Sequence, residues 1–132
     1  FKIGRFSVTA DKQQVGNYRS DGVLFSTPTG STAHAFSAGG PIIEPDCKCI
    51  EMNLLAPFSL FNRPIIFSEN KTLSLTTRDT DIYFTVDGET PIMFEEDATM
   101  YITKSEHYAN IIAFGEEYFH NTINNKLFSS LK

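Results

Sequence analysis

Along most of this chain apolar side chains recur at every second residue between clusters of turn formers, and that alternation confines it to short strands with one buried face. Phe6, Val8 and Ala10 alternate with polar residues, Asp11-Lys12 turns the chain, and Gln14 to Tyr18 returns, so an opening hairpin is predicted. Further strands are predicted over Gly22 to Ser26, Cys49 to Leu55, Pro64 to Phe67, Thr72 to Thr77, Ile82 to Val86, Pro91 to Phe94, Met100 to Thr103 and Asn110 to Phe114. With about ten short strands spaced as in a sandwich, the expected fold class is mostly β. It is a β-sandwich-like domain with one short inserted helix and a C-terminal helical or irregular segment. That last segment begins near Glu116, where Phe119, Ile123, Leu127 and Leu131 recur four apart as a single apolar stripe that can lie across the sheets.

Two acidic stretches read as turns. Asp87-Gly88, between Ile82 to Val86 and Thr90 to Met93, is a strong hairpin signal because glycine supplies the positive φ of a type I′ turn. Glu95-Glu96-Asp97 reads as a solvated loop tip and not as paired catalytic carboxylates.

At 132 residues and 41% hydrophobic, with twelve Phe, residues 1–132 are expected to form one domain with a real core. Phe1 to Arg5 has no basic stretch leading into a long apolar run, so a trimmed chain is expected and not a signal sequence. No apolar run approaches the roughly 20 residues that span a bilayer, and no membrane association is expected. Sixteen acidic against eleven basic side chains leave a net charge of −5, with Lys and Arg scattered, so nucleic acid is not an expected partner. Cys47 and Cys49 have no second pair to complete a zinc site and read as free thiols in a reducing cytosol. His107 and His120 read as ordinary surface or boundary histidines.

One segment departs from the alternation. From Ser26 to Pro41 the chain reads as a strand, a turn and a short helix: Pro28 ends the strand, Gly30 permits a tight turn, Thr29 or Ser31 can cap the helix, and Gly39-Gly40-Pro41 stops it. The first N–H groups of such a helix, with hydroxyls at Ser26, Thr27, Thr29, Ser31 and Thr32, would form a donor-rich edge for a polar ligand. A capped surface helix with a glycine stop fits the same residues. The segment is neither a Walker A loop, since no Lys lies between Lys12 and Lys48, nor a G-x-G-x-x-G fingerprint. Upstream, Arg19 and Asp21 sit two apart at the start of the strand, where they can share a face and pair across solvent or serve a ligand.

Arg19-Ser20-Asp21-Gly22, Ser26-Thr27-Pro28-Thr29-Gly30-Ser31-Thr32-Ala33 and Ser37-Ala38-Gly39-Gly40-Pro41 together closely resemble the NAD kinases. Pro57-Phe58-Ser59-Leu60-Phe61-Asn62-Arg63-Pro64 is similar to that family's Pro-His-Ser-Leu-x-x-Arg-Pro stretch, and Val86-Asp87-Gly88 and Phe119 to Phe128 resemble its last strands and terminal segment. The resemblance implies a cytoplasmic two-domain kinase that moves the terminal phosphoryl group of ATP, or of polyphosphate in some members, to the adenosine-ribose 2′-hydroxyl of NAD. A divalent metal, Mg, assists, and NADP is the product. It implies an N-terminal α/β domain carrying a Gly-Gly-Asp-Gly motif, whose Asp is the general base, and an Asn-Glu or Asn-Asp pair. Neither motif is present here, so the chain is expected to bind and not to turn over. The resemblance assigns no catalytic residue and no metal ligand to this chain. It assigns NAD binding to Arg19, Asp21, Thr32, Ala33, His34, Ala35, Phe36, Ser37 and Asn53, with Arg19 and Asp21 acting across a subunit boundary of a homo-oligomer, dimer or tetramer. Two departures stand out: His34 replaces the usual Tyr, where an imidazole can keep a stacking face and a hydrogen bond, and Phe58 replaces a His, losing a polar handle. The alternatives are the C-terminal half of a diacylglycerol or sphingoid lipid kinase, and a non-enzymatic β-sandwich binding module.

Overall fold

A computed structural model describes residues 3–60, 62–110, 112 and 119–129 of the chain. The opening hairpin forms as expected, with β1 (Gly4–Ala10) antiparallel to β2 (Gln13–Ser20). Asp11 and Lys12 both take positive φ, +48° and +68°, which matches the right-handed twist of a two-residue hairpin loop. The Asp11 carboxylate accepts from Lys71 Nζ at 2.5 Å and from the Thr72 N–H at 3.0 Å, tying the turn to the strand that starts at Leu73.

The remaining strands are β3 (Gly22–Ser26), β4 (Cys49–Leu55), β5 (Ile65–Ser68), β6 (Leu73–Thr77), β7 (Tyr83–Phe84), β8 (Ile92–Met93) and β9 (Thr99–Ile102). They form a four-stranded sheet in the order β2-β1-β6-β9, a three-stranded sheet in the order β3-β4-β5, and the separate hairpin β7-β8. All pairings are antiparallel. The two larger sheets meet over Phe6 and Val8 of β1, Leu75 of β6, Met52 of β4 and Phe94, all buried, with Val23 and Phe25 of β3 packed against them. Removing that apolar surface from water is what holds the sheets together.

Nine strands lie among the described residues against about ten predicted. The predicted strand from Asn110 to Phe114 falls largely outside those residues, as do Glu116, where the predicted terminal segment begins, and Leu131 of its apolar stripe. Phe119, Ile123 and Leu127 lie in α2 (Phe119–Ile123) and the wider helical turn Asn124–Phe128 that follows it. Strands β7 and β8 are two residues each, shorter than predicted, because the loop claims their ends. Thr85 Oγ1 donates to the Glu89 carbonyl at 2.7 Å and the Glu89 N–H to that of Val86 at 2.9 Å, while Asp87 and Gly88 take φ of +48° and +79°. Pro91 has no N–H for the ladder. The hairpin is held to the core by Phe84 packed edge-on against Phe94, ring centres 6.5 Å apart.

Candidate functional site

Strand β3 leads directly into the segment singled out by sequence. Past Pro28 the chain makes a 3₁₀ turn, Thr29–Thr32, changes direction at Ala33, and forms a single helical turn, α1 (His34–Ser37). It stops at Gly39, whose φ of +85° suits only glycine. The Gly39 N–H donates to the Phe36 carbonyl at 3.0 Å and the Gly40 N–H to that of Ala35 at 2.9 Å, the double closure of a Schellman motif.

The expected capping is different in kind. Neither Thr29 nor Ser31 caps a helix: Pro28 occupies the position before the 3₁₀ turn, and no side-chain cap bond forms there. Thr27 Oγ1 instead accepts from the Gly30 N–H at 3.2 Å. The buried Ser31 hydroxyl donates to the Pro28 carbonyl at 2.6 Å and accepts from the Ile43 N–H at 3.0 Å, joining the two ends of the segment. The donor-rich helix edge is also reduced. The N–H groups of Ser31, Ala33 and Phe36 go to the carbonyls of Pro28, Gly30 and Ala33, and one helical turn carries little dipole. The polar groups this segment leaves available are side chains, with Thr32 half-buried and His34 and Ser37 exposed.

Ala33 and Phe36 are exposed as well, Phe36 at 40%, but Ala35 is 1% exposed and turned inward. What it meets is the second face of β4. Ile50, Met52 and Leu54 point toward the core, so Glu51 and Asn53 point the other way, and both are nonetheless buried, at 0% and 1%. Asn53 Nδ2 donates to Glu51 Oε1 at 2.6 Å. The pair lies under Gly40: a Cβ added there would overlap Glu51 Oε1 and come within 2.8 Å of the Ala35 carbonyl and 3.0 Å of Asn53 Nδ2. Ala35 and Asn53, both expected among the NAD-binding residues, are therefore buried beneath the segment that ends at Gly40. Glu51 was not foreseen, although the paired glycines 39 and 40 mark a close approach of backbone to something.

Arg19 and Asp21 stand at the opposite end of β3, about 17 Å from Ser26 by strand rise. The Asp21 N–H donates to the Leu55 carbonyl and the Phe58 N–H to that of Arg19, each at 2.9 Å, so three chain segments meet there. The Arg19 guanidinium carbon lies 4.9 Å from the centre of the Phe58 ring, a stacking partner that a His at this position would serve less well. Arg19, Asp21 and Phe58 are all exposed. A groove of about 610 Å³ runs along the core side of β3, lined by Asp21, Phe25, Leu75, Phe84 and Met100 among others. Residues 32–37 take no part in it, so only Asp21 of the predicted set borders this cavity. Among the remaining candidates, Cys47 and Cys49 are free thiols, and burial, with Cys47 close by, pushes the Cys49 thiol up. His107 and His120 are exposed. Among the described residues no three His, Cys, Asp or Glu side chains gather as a metal would need.

The model of the ATP-NAD kinase C-terminal domain family matches residues 2–114. The NAD kinase of Methanoculleus marisnigri is 37% identical over 127 residues, covering 96% of this chain and 47% of that protein. An NAD kinase from Archaeoglobus fulgidus, solved in complex with ATP, superposes with a TM-score of 0.73 at 31% identity over 80% of this chain and 41% of its own. Yeast NADH kinase complexed with NADH superposes with a TM-score of 0.82 at 26% identity over 97% of this chain and 38% of its own. The chain spans about half the length of the curated relatives it matches. Nothing in these likenesses favours a lipid kinase.

Proposed function

This chain belongs to the ATP-NAD kinase family, matching its C-terminal domain, and from that premise we propose that it is the dinucleotide-holding half of an enzyme that phosphorylates NAD. The enzyme would move the terminal phosphoryl group of ATP to the adenosine-ribose 2′-hydroxyl and release NADP. The observation that carries this reading is the segment from Thr27 to Ser37, closed on itself by Ser31 and the Schellman motif and resting on β4 at Gly40, with Thr32 half-buried and His34 and Ser37 exposed. A site of this kind orients a ligand through hydroxyls and an imidazole.

Phosphoryl transfer depends on positioning and on neutralising charge around phosphate and metal. Those tasks belong to the part of the enzyme beyond this chain, an N-terminal α/β domain with the general base and the ATP site. The divalent ion, Mg, would arrive there with ATP, and no step here is routed through it. Arg19 and Asp21, far from Thr32 along β3, would serve a dinucleotide seated on a neighbouring copy, which makes the enzyme a homo-oligomer, dimer or tetramer. No helix among the described residues is long and apolar enough to cross a membrane, and we place the enzyme in the cytoplasm, where its nucleotides are.

The test is direct. The full-length protein, given NAD, ATP and Mg, should yield NADP. The 132-residue chain should bind NAD weakly and yield none, and turnover by the chain alone would overturn the division of labour. Phosphorylation of a diacylglycerol or sphingoid base, with NAD left untouched, would reverse the choice of substrate. Light scattering of the full-length protein should report an assembly, and a strict monomer at high concentration would remove the shared site.

A further inference from the structure

We propose that Glu51 and Asn53 are positioning residues for the dinucleotide site, a buried carboxylate–amide pair whose size and hydrogen bonding set how far α1 stands off the sheet. The inference rests on the reading of residues 32–37 as the NAD-binding run. Strand β4 is covered on both faces, and its second face is the one that should have met solvent. There the chain places a carboxylate at 0% exposure and an amide at 1%, joined to each other at 2.6 Å. Their remaining oxygens, Glu51 Oε2 and Asn53 Oδ1, are both buried with no hydrogen-bond partner among the described residues. Burying acceptors without donors is costly, and well-packed apolar residues of the same volume commonly leave a fold equally or more stable. Stability alone thus gives no reason for this pair.

Geometry gives one. The backbone at Gly40 rests directly on the two side chains, so closely that no Cβ fits between them. Gly40 is in turn bonded to Ala35, the inward residue of α1, whose neighbours His34, Phe36 and Ser37 face outward. Height is therefore passed from Glu51 and Asn53 through Gly40 and Ala35 to the exposed side chains. Shortening either support lets the turn settle toward β4, and the hydroxyls and imidazole move away from a ligand whose other contacts stay fixed. A shift of about an ångström in a positioning group can cost on the order of a hundredfold in rate or affinity.

The experiment is steady-state kinetics of the full-length enzyme carrying Glu51→Ala, Asn53→Ala and Glu51→Gln, with Ile50→Val on the opposite face of β4 as a control for simple loss of packing. Glu51→Ala and Asn53→Ala should each raise KM for NAD tenfold or more, leaving KM for ATP and kcat at saturating NAD within about twofold. Glu51→Gln keeps both the volume and an oxygen for Asn53 and should restore KM for NAD to near wild type, and Ile50→Val should not change it. If Glu51→Ala does not fold, Asn53→Ser, which shortens only the amide arm, carries the same expectation. A lowered melting temperature with KM for NAD unchanged would overturn the inference, and so would equal rises in KM for both substrates. If the wild-type enzyme makes no NADP, the reading of the site falls and the inference falls with it; if it does and the variants match it, the inference falls alone.

Discussion

At its Asp21 end β3 meets solvent through three exposed side chains, Arg19, Asp21 and Phe58, placed by two backbone hydrogen bonds between neighbouring segments. At its Ser26 end the same strand runs into a turn stacked on buried polar groups, with Ser31, Glu51 and Asn53 all at 1% exposure or less. One end is decorated and the other is built. Side chains at the first can change with little consequence for folding, whereas at the second the exposed candidate surface and the packing beneath it are the same structure. Recognition and stability should therefore separate at Asp21 and be coupled at Gly40.

The largest effect should come from Gly40→Ala. Its φ is not positive, so the added methyl is opposed by sterics alone, against the Ala35 carbonyl and Glu51. Overpacking of this kind costs about 1–3 kcal/mol. Urea unfolding of the full-length protein should show that loss, and NAD titration should show weaker binding in the same variant. Stability lost with affinity intact would break the coupling. Asp21→Ala comes next and should do the reverse: unfolding should move by less than about 0.5 kcal/mol, as for most exposed substitutions. Its KM for NAD should rise roughly tenfold, about 1.4 kcal/mol of binding. Phe58→Ala removes the stack under Arg19 and should cost about 0.5–1 kcal/mol, the scale of an exposed cation–π contact. That loss is best read from a double-mutant cycle with Arg19→Ala.

The smallest effect lies away from both ends and serves as a baseline. Lys71 and the Thr72 N–H hold the Asp11 carboxyl below the usual carboxylate range. A depressed folded pKa contributes stability above the unfolded pKa, and that contribution is lost as pH falls through the folded value. Asp11→Asn should thus be slightly less stable than wild type near neutrality, with the gap closing in acid and KM for NAD the same throughout. A change in NAD affinity would mean that the hairpin tip communicates with β3.

Apolar and β-branched runs between turn formers were enough to place β1 to β6 and β9 within a residue or two. They overextended β7 and β8, where Thr85, Glu89 and Pro91 serve the loop in place of the ladder. At the site, the segment from Ser26 to Pro41 stood out for its glycines, hydroxyls and resemblance, but the direction of Ala35 did not. Alternation tells which residues share a face and says nothing about whether another segment covers that face. Glu51 and Asn53 were legible as polar positions of a strand, and their burial depends on residues 29–43 folding back over β4, a tertiary event. Ser31 escaped for a similar reason, since its partner at Ile43 is twelve residues away.

The Ser31 hydroxyl also makes the site a closed ring of chain. By holding the Ile43 N–H at 3.0 Å it fastens the exit of the segment to its entrance, so residues 31–43 have no loose end from which to fray. They should open together or not at all, and a single amide records it: the hydrogen-exchange rate at Ile43 reads how often the whole ring unclasps. If the dinucleotide seats on the ring, it should slow that exchange in proportion to its occupancy, and the Ile43 amide would then gauge saturation.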